Sequence, residues 1–104
     1  MHEDASSAPE ELRRVLATAG HVVRARRGRT LIAAGGRPGE VFLVESGEAQ
    51  VALHAPNGRE VSVRTIGPGA VFGELSALDG RPRSATVVAQ TDLRVIVVSQ
   101  TAFM

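Results

Sequence analysis

From His21 to Val98 the chain is cut into brief β-favouring runs by Gly, Pro, Asn and Asp, and this punctuation constrains the fold more than any other feature. The runs that read as strands are 21–25, 30–34, 41–45, 48–54, 60–66, 85–90 and 93–98. Within Glu48–Leu53 and Glu60–Arg64 the side chains alternate, so one face meets a core and the other meets water. Pro56-Asn57-Gly58 lies between those two runs and offers the positive-φ residues that a tight hairpin needs. The pattern predicts a mainly β domain, an antiparallel β-roll of the jelly-roll or double-stranded β-helix type. One short helix is expected ahead of it over residues 9–19. Ser6 or Ser7 can cap that helix, Pro9 suits its first turn, Glu10 and Glu11 suit its positive end, and Gly20 supplies a stop. Residues 1–8 read as a flexible tail and 9–104 as one domain.

Composition agrees with sheet. Hydrophobic residues make up 43% of the chain and aromatics only 3%, so the core must be built from Val, Ala, Leu and Ile. A chain of 104 residues cannot bury two independent cores, and the whole function must sit in one unit. The net charge of +1 excludes a global field for nucleic acid or anionic membrane. All twelve basic residues are Arg. The one basic cluster, Arg24, Arg26, Arg27 and Arg29, lacks interleaved aromatics and reads as a solvated face rather than a nucleic-acid surface. With no cysteine there is no disulfide, thiolate metal site or Cys nucleophile, and His2, His21 and His54 stand apart without a carboxylate cluster, so no metal is expected. No apolar run is long enough for a signal peptide or membrane segment, and the expected location is cytoplasmic.

One stretch is too elaborate to be a connector. Residues 67–87 run Gly-Pro-Gly-Ala-Val-Phe-Gly-Glu-Leu-Ser-Ala-Leu-Asp-Gly-Arg-Pro-Arg-Ser-Ala-Thr-Val, and long loops in compact domains tend to be functional. Glu74–Leu78 has the length of one helical turn, bounded by Gly73 before it and Gly80 and Pro82 after it. The first amides of such a turn lack intrahelical partners and can donate to phosphate oxygens, and Gly73 lets a ligand approach the backbone. Ser76 would sit within that turn. Arg83 brings a planar guanidinium that can meet two phosphate oxygens, and Ser84 adds a hydroxyl. Glu74 would repel a phosphate yet accept well from a sugar hydroxyl. Anion donors with one acceptor describe a phosphorylated sugar.

Phe72-Gly73-Glu74-Leu75-Ser76, followed by Arg83-Ser84-Ala85-Thr86-Val87, resembles the phosphate-binding cassette of the cyclic-nucleotide-binding domain family. The resemblance extends to Val41-Phe42-Leu43-Val44, Ser46-Gly47 and Val51 ahead of the cassette, to Gly67-Pro68-Gly69, and to Thr91-Asp92-Leu93-Arg94-Val95 after it, covering residues 20–104. It implies a β-roll that binds cAMP, or alternatively cGMP, and does no chemistry on it. Glu74 would take the ribose 2′-hydroxyl, and Arg83 and Ser84 would hold the cyclic phosphate with the amides of Leu75 and Ser76. Val61, Val63 and Leu75 are expected to pack against the base. Ser84, where family members favouring cGMP often carry Thr, places cAMP ahead.

The sequence ends at Phe103-Met104, where the family usually continues into a helix that covers the base, and no DNA-reading helix-turn-helix follows the roll. The cover and the readout are therefore expected from a further C-terminal element or an effector protein, with homodimerisation as a further mode of assembly. An enzyme of this fold would require a metal cluster or a nucleophile with its base, and neither is visible. The competing reading is a ligand-free roll that serves as a dimerisation or scaffold domain, in which Glu74 and Arg83 merely form a structural ion pair.

Overall fold

A computed structural model describes residues 5–7, 9–37, 39–55, 57, 59–73, 80 and 82–99. Nine strands and one helix follow in the order β1 (Ala5–Ser7), α1 (Glu10–Ala19), β2 (His21–Ala25), β3 (Thr30–Ile32), β4 (Val41–Ser46), β5 (Ala49–His54), β6 (Glu60–Ile66), β7 (Ala70–Phe72), β8 (Ala85–Ala89) and β9 (Leu93–Val98). They form two antiparallel sheets, a five-stranded one ordered β1-β7-β4-β9-β2 and a four-stranded one ordered β3-β8-β5-β6. This is the mainly β roll that the alternating runs predict. Among the described residues no helix is long and apolar enough to cross a membrane.

The period of two decides which residues enter which core. Phe42 and Val44 of β4, Phe72 of β7 and Val95 and Val97 of β9 point between the sheets. There they meet Val51 and Leu53 of β5 and Ala85 and Val87 of β8. Phe42 and Phe72 are buried and stack with centroids 4.8 Å apart and planes at 2°, which makes them core residues. The alternate residues Val41, Leu43, Val71, Ile96 and Val98 form a second cluster on the outer face, closed by Leu16 of α1. The outer cluster explains why β4 and β9 are apolar on both faces.

Several local expectations are corrected. Ala5–Ser7 is not a tail but a strand, in register with β7 so that Ala5 faces Phe72 and Ser7 faces Ala70. Helix α1 has no side-chain cap, and Pro9 with ψ 151° turns the chain into it. Gly20 is no left-handed stop, since its φ is −102°. A methyl there would stand 2.5 Å from Ile96 Cγ2 and 2.8 Å from the Val97 carbonyl, so Gly is needed for the close passage of the chain over β9. Asn57 works through its side chain, whose Oδ1 accepts from the Arg59 amide at 2.9 Å, and no described residue other than Gly has positive φ.

Candidate functional site

The site is built where β7 ends and β8 begins. Phe72 is fully buried and Gly73, at φ +87°, turns the chain out of the sheet. Its missing side chain is required twice over. The left-handed region favours Gly, and a Cβ would lie 2.7 Å from Arg83 Nη1 and 2.7 Å from the Glu40 carbonyl oxygen. Ten residues on, Arg83 is the one buried charged residue among the described residues, at 7% exposure. Its Nη1 donates to the Gly73 carbonyl at 2.9 Å and its Nη2 to the Glu40 carbonyl at 2.8 Å. The two acceptors lie just past the end of β7 and just before the start of β4, and together they fix the plane of the guanidinium.

The backbone of Arg83 is held with equal care. Its amide donates to the Gly36 carbonyl at 2.9 Å, and its carbonyl accepts from the Gly35 amide at 2.8 Å. Thr86 Oγ1 accepts from the Ala34 amide at 3.1 Å, which continues this attachment between the loop after β3 and the start of β8. A methyl on Gly36 would stand 2.9 Å from the Ala33 carbonyl oxygen, and Gly36 and Gly39 lie beside the Arg83 side chain. Beside it opens a cleft of about 310 Å³ lined by Ile32, Ala33, Gly36, Glu40 and Arg83 among others. The loop at 33–40 is thus part of the site although no sequence motif announced it. Its only signal was the clustered Gly35, Gly36 and Gly39.

The other expected residues fall as follows. Ser84 is exposed, and its carbonyl accepts from the His54 amide at 3.2 Å, which ties this end of the cassette to β5. Ala85 is fully buried opposite Leu53, so its side chain serves the core. Glu74, Leu75 and Ser76, with the one-turn helix expected over 74–78, lie outside the described residues. Val61 and Val63 are 56% and 46% exposed. Val63 pairs with Ala52, while Ser62 and Arg64 pair with the core residues Leu53 and Val51 and share their inward face. Val61 and Val63 therefore stand on the opposite face of β6 from Ser62 and Arg64. No cluster of three or more metal-ligating side chains is present among the described residues.

A roll whose β7–β8 connection carries a buried arginine behind a positive-φ glycine defines a class, and the family model for the cyclic nucleotide-binding domain matches residues 22–104. The chain belongs to that family. Among its relatives, the cAMP-dependent protein kinase regulatory subunit of Aspergillus niger is 44% identical over 77 residues, covering 73% of this chain and 18% of the relative. The CRP-like cAMP-activated global transcriptional regulator of Mycobacterium tuberculosis is 33% identical over 76 residues, covering 73% of this chain and 34% of the relative. This chain thus spans only a minor part of either relative's length. Of solved structures, the catabolite activator protein of Thermus thermophilus superposes with a TM-score of 0.78 at 29% identity, covering 92% of this chain and 45% of that one. A protein from a cyclic-GMP-dependent signalling pathway in bacterial phytopathogenesis reaches 0.81 at 27% identity, covering 92% and 76%.

Proposed function

We propose that this domain is a non-catalytic cyclic-nucleotide sensor, with cAMP as its preferred ligand, in which Arg83 is the phosphate anchor. The observation that carries the reading is the burial of Arg83 beside Gly73, with its guanidinium oriented by the Gly73 and Glu40 carbonyls along one wall of a cleft. The two carbonyls fix the direction of the guanidinium, and a planar fork held in one orientation suits recognition of an anion. In this reading the amides of Leu75 and Ser76 and the Ser84 hydroxyl complete the phosphate contact, and Glu74 accepts from the ribose 2′-hydroxyl. Ser84, where family members that favour cGMP often carry Thr, keeps cAMP ahead of cGMP. The names of the relatives point both ways, to cAMP for the kinase subunit and the transcriptional regulator and to cyclic GMP for one structural neighbour. Binding would shift a conformational equilibrium that an effector protein, a C-terminal element or a second copy reads, and it can do so only through unequal affinity for two states. A cytoplasmic setting follows for such a sensor.

Calorimetric titration with cAMP and cGMP in parallel tests this. Saturable binding is expected, weakened in Arg83→Ala by about 1.5–3 kcal/mol, the range for a charge-assisted hydrogen bond. Ser84→Ala, at an exposed position, should weaken binding less and leave the fold intact. No heat with either nucleotide from a protein with a cooperative melt would instead favour the ligand-free scaffold.

A further inference from the structure

A cleft of about 530 Å³ lies away from the cassette. It is lined by Arg24, Ala25, Arg26, Ser46, Asp92, Leu93 and Arg94, residues of β2, β4 and β9 and of the turns beside them. Ser46, Arg94 and Arg24 lie in one row across three strands, since Arg94 faces Ser46 on one side and Arg24 on the other. Like charges directly opposite in an antiparallel pair repel. A bulge relieves one of them: the register of β4 shifts between Val44 and Ser46, and the extra residue, Glu45, forms an ion pair with Arg94. Asp92 is occupied by the Arg27 amide, which donates to its Oδ1 at 3.1 Å. Among the described residues the side chains of Arg24 and Arg26 have neither a hydrogen bond nor an ion pair, and both are exposed.

β2 is also the end strand of its sheet, with β9 on one side and no described strand on the other. Such an edge presents a row of backbone donors and acceptors to an incoming strand. Ala25 points into the core, so Val22, which is 45% exposed, and Arg24 share the outer face by the period of two, and Arg26, just past the end of the strand, lines the same cleft as Arg24. We infer that this edge is a docking site for an extended acidic peptide segment of a partner protein. The segment adds to β2 and sets one apolar and two acidic side chains, at alternate positions, against Val22, Arg24 and Arg26. The pattern favours a peptide over nucleic acid, because Asp92 lines the cleft and Glu45 is paired with its Arg94, and both would oppose a continuous phosphate backbone, whereas separated carboxylates avoid them. The inference is independent of the cassette.

Fluorescence anisotropy on the full chain tests it, with a labelled peptide Val-Thr-Glu-Thr-Glu-Thr-Val, which presents the pattern in either strand direction. The control is a peptide of equal composition with its two Glu adjacent. The alternating peptide should bind at least about ten-fold tighter than the control, the factor that two modest ion pairs confer, and salt should weaken it. The double variant Arg24→Glu with Arg26→Glu should lose the peptide and gain the charge-swapped one carrying Arg for Glu, while its nucleotide titration stays as in the parent. Equal affinity for both peptides, no binding by the folded protein, or tighter binding of a single-stranded oligonucleotide of equal charge would each overturn the inference.

Discussion

Gly73→Ala is the most informative single change, because its two costs can be separated. A Cβ at φ +87° costs about 1–2 kcal/mol in backbone strain. It would also stand 2.7 Å from the Glu40 carbonyl oxygen and 2.7 Å from Arg83 Nη1, and the carbonyl, as backbone of β4's approach, cannot simply rotate away. Forced repacking of that kind adds about 1–3 kcal/mol. Gly28→Ala supplies the reference: φ is +90° there, and nothing lies within 4 Å of the added methyl. That variant carries the strain term alone. Urea unfolding of both should show Gly73→Ala less stable than Gly28→Ala by about 1–3 kcal/mol, and thermal melts should separate by about 4 °C or more per kcal/mol for a domain of this size. Nucleotide affinity should fall in Gly73→Ala, where the Nη1 bond to the Gly73 carbonyl is displaced, and hold in Gly28→Ala. Equal destabilisation by the two substitutions would refute the claim that Gly73 is required by the packing of Arg83.

Gly20→Ala should destabilise by about 1–3 kcal/mol although its φ is ordinary, because the methyl meets Ile96 and the Val97 carbonyl, and urea unfolding would read the loss. Phe72→Ala removes a fully buried ring stacked on Phe42 and should lose about 3–5 kcal/mol, enough to leave much of the chain unfolded by circular dichroism at 37 °C. Thr91→Val should cost about 1 kcal/mol in denaturant midpoint, since Thr91 Oγ1 accepts from the Glu48 amide at 3.0 Å and donates to the Asp92 carbonyl at 3.0 Å. Arg94→Gln should cost at most about 1 kcal/mol and less in high salt, because both partners of its ion pair with Glu45 are more than two-fifths exposed.

The strands that were legible residue for residue, β2, β6 and β9, are bounded by glycine or by turn residues, so that local chemistry alone marks where pairing stops. The two strands that were not expected at all are held by tertiary partners. Ala70–Phe72 is too short to show a period, and it is a strand because β4 and β1 bond to its two edges. Ala5–Ser7 has a polar, tail-like sequence and is a strand only because β7 offers it an edge. The site divides the same way. Arg83, Gly73 and Ser84 were visible as residue types at telling intervals. The clamp on Arg83 was not, because it is made by the carbonyls of Glu40 and Gly36, and a backbone carbonyl leaves no trace in residue type. Which face of β6 is inner was not legible either, because alternation gives two faces without saying which, and the pairing of Arg64 with Val51 decides it.

The order of strands in the two sheets carries a lesson about how the molecule comes into being. Among the described strands only β5 and β6 are neighbours both along the chain and in space, and every other described ladder joins segments with at least one strand between them in sequence. Folding of such a topology must close long loops before most contacts can form, which places it among slow, non-local folders, with the β5–β6 hairpin as the one piece able to form early. A peptide spanning 67–89 would carry Gly73, Arg83 and Ser84 and still hold no site, because Glu40, Gly35 and Gly36, which position the arginine, arrive from a different part of the chain.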